Sequence, residues 1–116
     1  ALARLMPGTE IKPHFDTHCR LAAHVGLRSV EGASMVVGGV RTSWREGEVL
    51  VFDDTYVHSV AHAGVEPRYV LVSWFCHPCD LTWRERAGPE WQKAHPLPSH
   101  CGGGGGEPPV EGYGDR

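Results

Sequence analysis

His14 and Asp16 stand two residues apart, directly after Pro13, and His58 follows 44 residues after His14, behind Phe52-Asp53-Asp54. Two imidazoles and one carboxylate are the ligand set of the facial triad, which binds Fe(II) on one face and leaves the other face open. On an extended segment residues i and i+2 share a face, so a His-x-Asp pair delivers two ligands from one strand. The third must come from a strand adjacent in space and remote in sequence. Taken alone, His-x-Asp reads equally well as a surface turn with an Asx-type hydrogen bond. Arg68 changes the balance. It enters the run Arg68-Tyr69-Val70-Leu71-Val72-Ser73-Trp74, where a guanidinium either exits to solvent or meets an anion. A carboxylate is its natural bidentate partner. A metal with open positions beside a carboxylate clamp implies an oxo-acid cosubstrate that chelates iron.

Other polar residues have weaker patterns. Asp53 and Asp54 are adjacent, so on a strand only one of them faces a common site; one reads as orienting a ligand or its water, the other as turn chemistry. Tyr56 either lines that site or packs in the core. His24 alone reads as a satisfied histidine within a strand. His18, His62, His95 and His100 have no partner pattern and are expected in solvent, while His77-Pro78 reads as a strand-exit turn. Cys76-His-Pro-Cys79 has thiol-oxidoreductase spacing, but it follows a strand rather than opening a helix. The expectation for it is reduced, inert thiols. Zinc held with His100 and Cys101 is the alternative.

The elements that must position these residues follow a period of two. Ala1–Leu5 reads as a strand closed by Pro7-Gly8. Arg20–Val30 alternates, with Arg20, Ala22, His24 and Gly26 on one face. Ser34–Val37, Thr42–Trp44, Val49–Phe52, Val57–Ala61 and Arg68–Phe75 complete the series, and Gly38-Gly39 predicts a tight hairpin turn. Leu81–Lys93 is the one helical stretch, broken at Gly88-Pro89. About seven short strands at regular spacing predict an all-β antiparallel sandwich or barrel, first of all a double-sheet jelly roll.

The 116 residues, 41% apolar and 22% charged, suit a single core. Residues 1–101 read as the folded domain. Residues 102–116, opening on five consecutive glycines, read as a flexible tail. The chain begins Ala-Leu-Ala-Arg-Leu without methionine, which reads as the truncated N-terminus of a longer protein. Eleven Lys and Arg scattered among fourteen Asp and Glu, with a net charge of −3, leave no basic face for nucleic acid. No apolar run approaches a transmembrane length.

Several segments resemble the aspartyl/asparaginyl β-hydroxylase family. They are Pro7-Gly8-Thr9, Pro13-His14, Cys19-Arg20-Leu21, His24-Val25-Gly26-Leu27, the long stretch Trp44–Val60, Arg68 and His77-Pro78, in order over roughly residues 3–81. The resemblance implies a cupin-like double-stranded β-helix and an Fe(II)- and 2-oxoglutarate-dependent dioxygenase that uses O2 to hydroxylate an unactivated C–H. By motif position it implies His14 and His58 as metal ligands. Arg68 would take the distal carboxylate of 2-oxoglutarate and His24 its other end, with Arg20 facing the site. Asp16 stands where the animal peptide hydroxylases of the family have glycine, which moves the chain towards members with a complete triad, including the lipid A hydroxylases. Ala3 and Ala22 replace a serine and an arginine of the animal enzymes. The implied substrate is therefore a peptide side chain, a lipid acyl chain or a small molecule. A reading from another class is a cupin-like metal-binding or sensor domain without turnover.

Overall fold

The computed structural model describes residues 1–102 and 110–112. Strand parity organises it. In β4 (Ala33–Val37) and β7 (His58–His62) every second residue is buried, and so it is in the first half of β8 (Arg68–Cys76). The buried sets Ala33-Met35-Val37, His58-Val60-His62 and Arg68-Val70-Val72 each share one face, as a pleated strand requires. Arg68 is therefore carried inward by the parity of its own strand. The same parity buries His62, which the sequence placed in solvent; its Nε2 lies 2.6 Å from the Glu66 carbonyl oxygen, and the Gly64 N–H donates to its Nδ1.

The remaining strands are β1 (Leu2–Leu5), β2 (Glu10–His14), β3 (Arg20–Arg28), β5 (Val40–Ser43), β6 (Val49–Asp53) and β9 (Val110–Gly112). One sheet runs β1-β8-β3-β6-β9 and the other β2-β7-β4-β5. Every pairing is antiparallel. From β1 to β8 the chain changes sheet at every connection except the β4–β5 hairpin. That interleaving, 1-8-3-6 over 2-7-4-5, is the eight-stranded jelly roll. At the hairpin Val37 pairs with Val40, and Gly38 and Gly39 have φ of +52° and +82°, the left-handed pair a two-residue turn needs. Met35, Val37, Leu50, Phe52, Val60 and Val70, from both sheets, meet in one core.

Two strands depart from the sequence expectation. All five residues of β2 are exposed; it is an edge strand, which is why Pro13 is tolerated in it. Between the pairs Ile11–Val60 and His14–His58, Lys12 and Pro13 on β2 stand against Ser59 alone on β7, a bulge that turns the end of β2. β9 lies within the stretch read as a tail, where it pairs with β6; the rest of that stretch beyond Gly102 falls outside the described residues.

After β8 come α1 (Leu81–Ala87) and α2 (Pro89–Ala94). Asp80 caps α1 by accepting from the Thr82 N–H, and Gly88 ends it at φ +88°. Pro89 then opens α2 in the first turn, where its missing N–H costs nothing. Trp83 and Trp91 meet edge-to-face at 4.8 Å, and the Trp83 Nε1–H donates to the His77 carbonyl oxygen. The helical pair is thereby fixed to the exit of β8. Among the described residues no helix is long and apolar enough to cross a membrane.

Candidate functional site

His14 ends β2 and His58 begins β7. The two are cross-strand partners, with ring centroids 4.2 Å apart in an edge-on arrangement. Each ring is oriented by the same local device. Nδ1 of His14 is 2.8 Å from the Lys12 carbonyl oxygen, and Nδ1 of His58 is 2.7 Å from the Tyr56 carbonyl oxygen. A carbonyl only accepts, so both Nδ1 atoms carry the proton and both Nε2 atoms keep their lone pairs. That is the tautomer and the anchoring typical of metal-binding histidines.

The buried Asp54 lies beside them. Its Oδ2 accepts from Arg20 Nε at 2.7 Å, and its Oδ1 faces His58 Nε2 at 3.5 Å. A carboxylate oxygen and an imidazole lone pair at that distance repel unless a proton or a cation lies between them. Asp16, in the loop after β2, is held elsewhere. Its Oδ1 accepts from the His18 N–H and lies 2.7 Å from His18 Nδ1, and its Oδ2 accepts from Arg20. The His18 backbone and imidazole, and then the Arg20 charge, hold the Asp16 carboxyl below its ordinary range. Among the described residues no three His, Cys, Asp or Glu side chains are gathered closely enough to hold a metal ion. The donor types and the two histidine tautomers fit a divalent transition metal, with the carboxylate arm turned onto Arg20.

Further into the jelly roll, Arg68 is 4% exposed, and its guanidinium lies over the Trp44 ring at 4.5 Å. Its Nε and Nη1 are buried and have no hydrogen-bond partner among the described residues. Burial lowers Arg68 to about 10, so it is still a cation at neutral pH. A buried guanidinium with two unmet donors is a costly feature to keep, and an entering carboxylate relieves part of that cost. Trp44 also sets the tautomer of His24, because its Nε1–H donates to His24 Nδ1 at 3.2 Å. In the neutral ring, Nε2 of His24 then carries the proton. Burial and the nearby Arg68 charge push His24 down to about 4; it is therefore a neutral N–H donor under ordinary conditions.

His14, Asp16, Arg20, His24, Asp54, His58 and Arg68 all line one cavity of about 290 Å³. Its remaining wall is apolar, with Met35, Phe52, Val60 and Val72 prominent. The inward face of β3 is thus Arg20, Ala22 and His24 rather than the more hydrophobic Leu21, Ala23 and Val25, because that face borders a polar chamber. Tyr56 is not in the lining. It packs half-buried against the core and contributes its carbonyl oxygen to His58. Asp53, on the other side of β6, accepts from the Thr55 N–H and hydroxyl and faces His77 Nε2 at 3.4 Å. A second cleft of about 540 Å³ adjoins the cavity across Arg20 and Trp74. Trp44 is the residue that sequence reasoning passed over. An indole that orients a histidine and backs an arginine is invisible until β5 and β6 bring it beneath β8.

The cysteines are a correction. Cys79 is disulfide-bonded to Cys101, while Cys19 and Cys76 are exposed thiols. Two sulfurs bonded to each other are neither inert thiols nor zinc thiolates. The Cys-x-x-Cys spacing misled because Cys79 pairs with a residue 22 positions further on, across the helical pair.

Residues 1–78 match the family described as Aspartyl/Asparaginyl beta-hydroxylase. The chain is 40% identical over 78 residues to the mouse and human proteins named "Aspartate beta-hydroxylase domain-containing protein 2", covering 64% of this chain and 23% and 21% of theirs. It is 37% identical over 82 residues to the mouse "Aspartyl/asparaginyl beta-hydroxylase", covering 69% of this chain and 11% of that protein. The chain thus spans about a fifth of the length of the domain-containing relatives. A solved structure, the "Schizosaccharomyces pombe Cnp3 Cupin Domain", superposes with a TM-score of 0.57 at 12% identity, over 75% of this chain and 59% of that one; this likeness shows the cupin jelly roll alone. By its matched residues, the chain belongs to the aspartyl/asparaginyl beta-hydroxylase family.

Proposed function

We propose that this domain is an Fe(II)- and 2-oxoglutarate-dependent hydroxylase. The observation that carries the reading is the buried guanidinium of Arg68, whose Nε and Nη1 have no hydrogen-bond partner among the described residues, in the same cavity as two histidines with free Nε2 lone pairs. His14 and His58 would hold the iron, joined by Asp16 once its carboxylate leaves Arg20 or His18. The Arg68 guanidinium binds the distal carboxylate of the oxo acid, and the Nε2–H of His24 donates to its other end. Bound iron with 2-oxoglutarate and O2 supplies the oxidising power for C–H hydroxylation.

The protein's own contribution is orientation and the exclusion of water. Met35, Phe52, Val60 and Val72 wall the cavity so that polar contacts inside it are strong. At about 290 Å³ the chamber is at the small end of small-molecule sites, roughly 300–1,000 Å³, and suits a short dicarboxylate. The prime substrate then approaches from the adjoining cleft over Arg20 and Trp74. The family name favours an aspartyl or asparaginyl side chain of a peptide over a lipid acyl chain or a free small molecule.

The test is succinate release from 2-oxoglutarate, in air with Fe(II), in the presence of capped peptides centred on Asp or Asn. Succinate that depends on both iron and peptide, with a 16-dalton gain on the peptide, is expected. A second reading is favoured by the engagement of Asp16 with His18 and Arg20: a cupin-like metal-binding domain without turnover. Metal binding without succinate from any peptide would select it.

A further inference from the structure

The sheet face turned away from the candidate cavity carries a second chemistry. A small cavity of about 180 Å³ is lined by Cys19, Asp53, Thr55, His77, Cys79 and Asp80. It places the exposed Cys19 thiol in the same chamber as one sulfur-bearing residue of the Cys79–Cys101 disulfide. The backbone fixes this juxtaposition. The His77 N–H donates to the Cys19 carbonyl oxygen, and the Cys79 N–H donates to His77 Nδ1. Cys76 lies differently. It pairs with Arg20 across β3 and β8 and borders the larger cleft, which Cys19 also lines, but not this cavity; of the two other cysteines, only Cys19 shares a cavity with Cys79. β8 ends at Cys76, and the turn that follows carries Cys79 into the smaller cavity, apart from Cys76, although sequence spacing makes Cys76 the obvious partner.

We propose that Cys19 is the exchange partner of the Cys79–Cys101 disulfide. The Cys19 thiolate attacks Sγ of Cys79, and the Cys79–Cys101 bond breaks. A Cys19–Cys79 bond forms, and Cys101 leaves as a thiolate that takes up the proton Cys19 gave up. One disulfide and one thiol remain, so no oxidant or reductant is consumed. The exchange ties the loop after β2 to the exit of β8. Cys19 directly precedes Arg20, whose guanidinium holds both Asp16 and Asp54. The thiol state of this face is thereby linked to the loop that carries Asp16. The exchange itself does not depend on the function proposed for the cavity.

Two measurements test it. Folded Cys101→Ser protein is oxidised with glutathione disulfide, acid-quenched, alkylated, and mapped by mass spectrometry of non-reduced peptides. A Cys19–Cys79 linkage with alkylated Cys76 is expected. A Cys76–Cys79 linkage, or Cys79 left as its glutathione adduct beside alkylated Cys19, would overturn the proposal. The unmodified sequence, kept folded at mildly alkaline pH with trace reduced glutathione, is the control that does not rely on a variant's folding. It should yield Cys19–Cys79 peptides together with alkylated Cys101. In guanidinium the linkage should shift to Cys76–Cys79, the shortest loop available to a disordered chain. Absence of Cys19–Cys79 from the folded unmodified protein would equally overturn it.

Discussion

His14 and His58 are cross-strand partners, each donating Nδ1–H to the carbonyl two residues before it. The repetition matters because the backbone alone enforces it. Neither ring relies on a side chain to choose its tautomer, so both present Nε2 to the cavity whatever stands at neighbouring positions. His62, two side chains further along the same strand face, is fixed in another way, with its two ring nitrogens against the Glu66 carbonyl oxygen and the Gly64 N–H. One strand thus carries a presented histidine and a structural one.

Arg68 sets function against stability. Its Nε and Nη1 are buried without hydrogen-bond partners among the described residues, and replacing a buried cation that lacks a counter-charge by an apolar group of similar length is commonly neutral or stabilising. Arg68→Met should leave the ligand-free melting temperature unchanged or raised. The same variant should bind 2-oxoglutarate more than about a hundredfold more weakly, because two charge-assisted hydrogen bonds of about 1.5–3 kcal/mol each are lost. Differential scanning calorimetry and isothermal titration check the two halves separately. A large fall in melting temperature would mean that stacking on Trp44 outweighs the desolvation of the charge.

Trp44→Phe retains a ring beneath Arg68 and removes the donor to His24 Nδ1. His24 is then free to carry its proton on either nitrogen. The expected cost is about 1 kcal/mol, roughly a fivefold loss in oxo-acid affinity, with little change in metal binding. Nitrogen-15 shifts of the His24 ring read the tautomer directly. Unchanged shifts in the variant would show that the indole is not what selects it.

The pH dependence of stability follows from His24. Burial first, then the charge of Arg68, lower it from 6.5 to about 4, against an opposing pull from Asp54. Above pH 6.5 the ring is neutral in both folded and unfolded chains and contributes no slope. Between 6.5 and about 4 the unfolded chain binds a proton that the folded chain does not, so stability falls as pH falls; below about 4 the contribution levels off. The full loss is on the order of 3 kcal/mol. Denaturant titrations at stepped pH should show this slope, and His24→Gln should flatten it. An identical slope in the variant would assign the acid sensitivity to other groups.

Much of the arrangement was legible because strand parity is written in the sequence. Alternation around Val70 and Val72 sends Arg68 inward, and alternation around Val60 does the same for His58. β2 was not legible. It is an exposed edge with Ile11 as its single large aliphatic residue, and its strand character comes from pairing with β7, some fifty residues away. The direction of Asp16 was equally hidden, since the i+2 rule places a side chain on a face without saying that His18 and Arg20 will claim it. Nor did spacing reveal which cysteine Cys79 would find, because α1 and α2 fold back to bring Cys101 to it. His62 looked solvated only because no partner is visible until the Glu66 carbonyl folds over it.

The most direct test of the central claim is an anaerobic titration of Fe(II) with 2-oxoglutarate, followed by the weak visible charge-transfer band of the chelate. The unmodified protein would be compared with Asp16→Ala, His58→Ala and Arg68→Met, each first shown to be folded. The account predicts a band that requires both iron and oxo acid, disappears in His58→Ala and weakens in Asp16→Ala. In Arg68→Met it should return only at much higher oxo-acid concentration. A folded, iron-binding protein that gives no band at any oxo-acid concentration would contradict the claim and leave a metal-binding jelly roll without this chemistry.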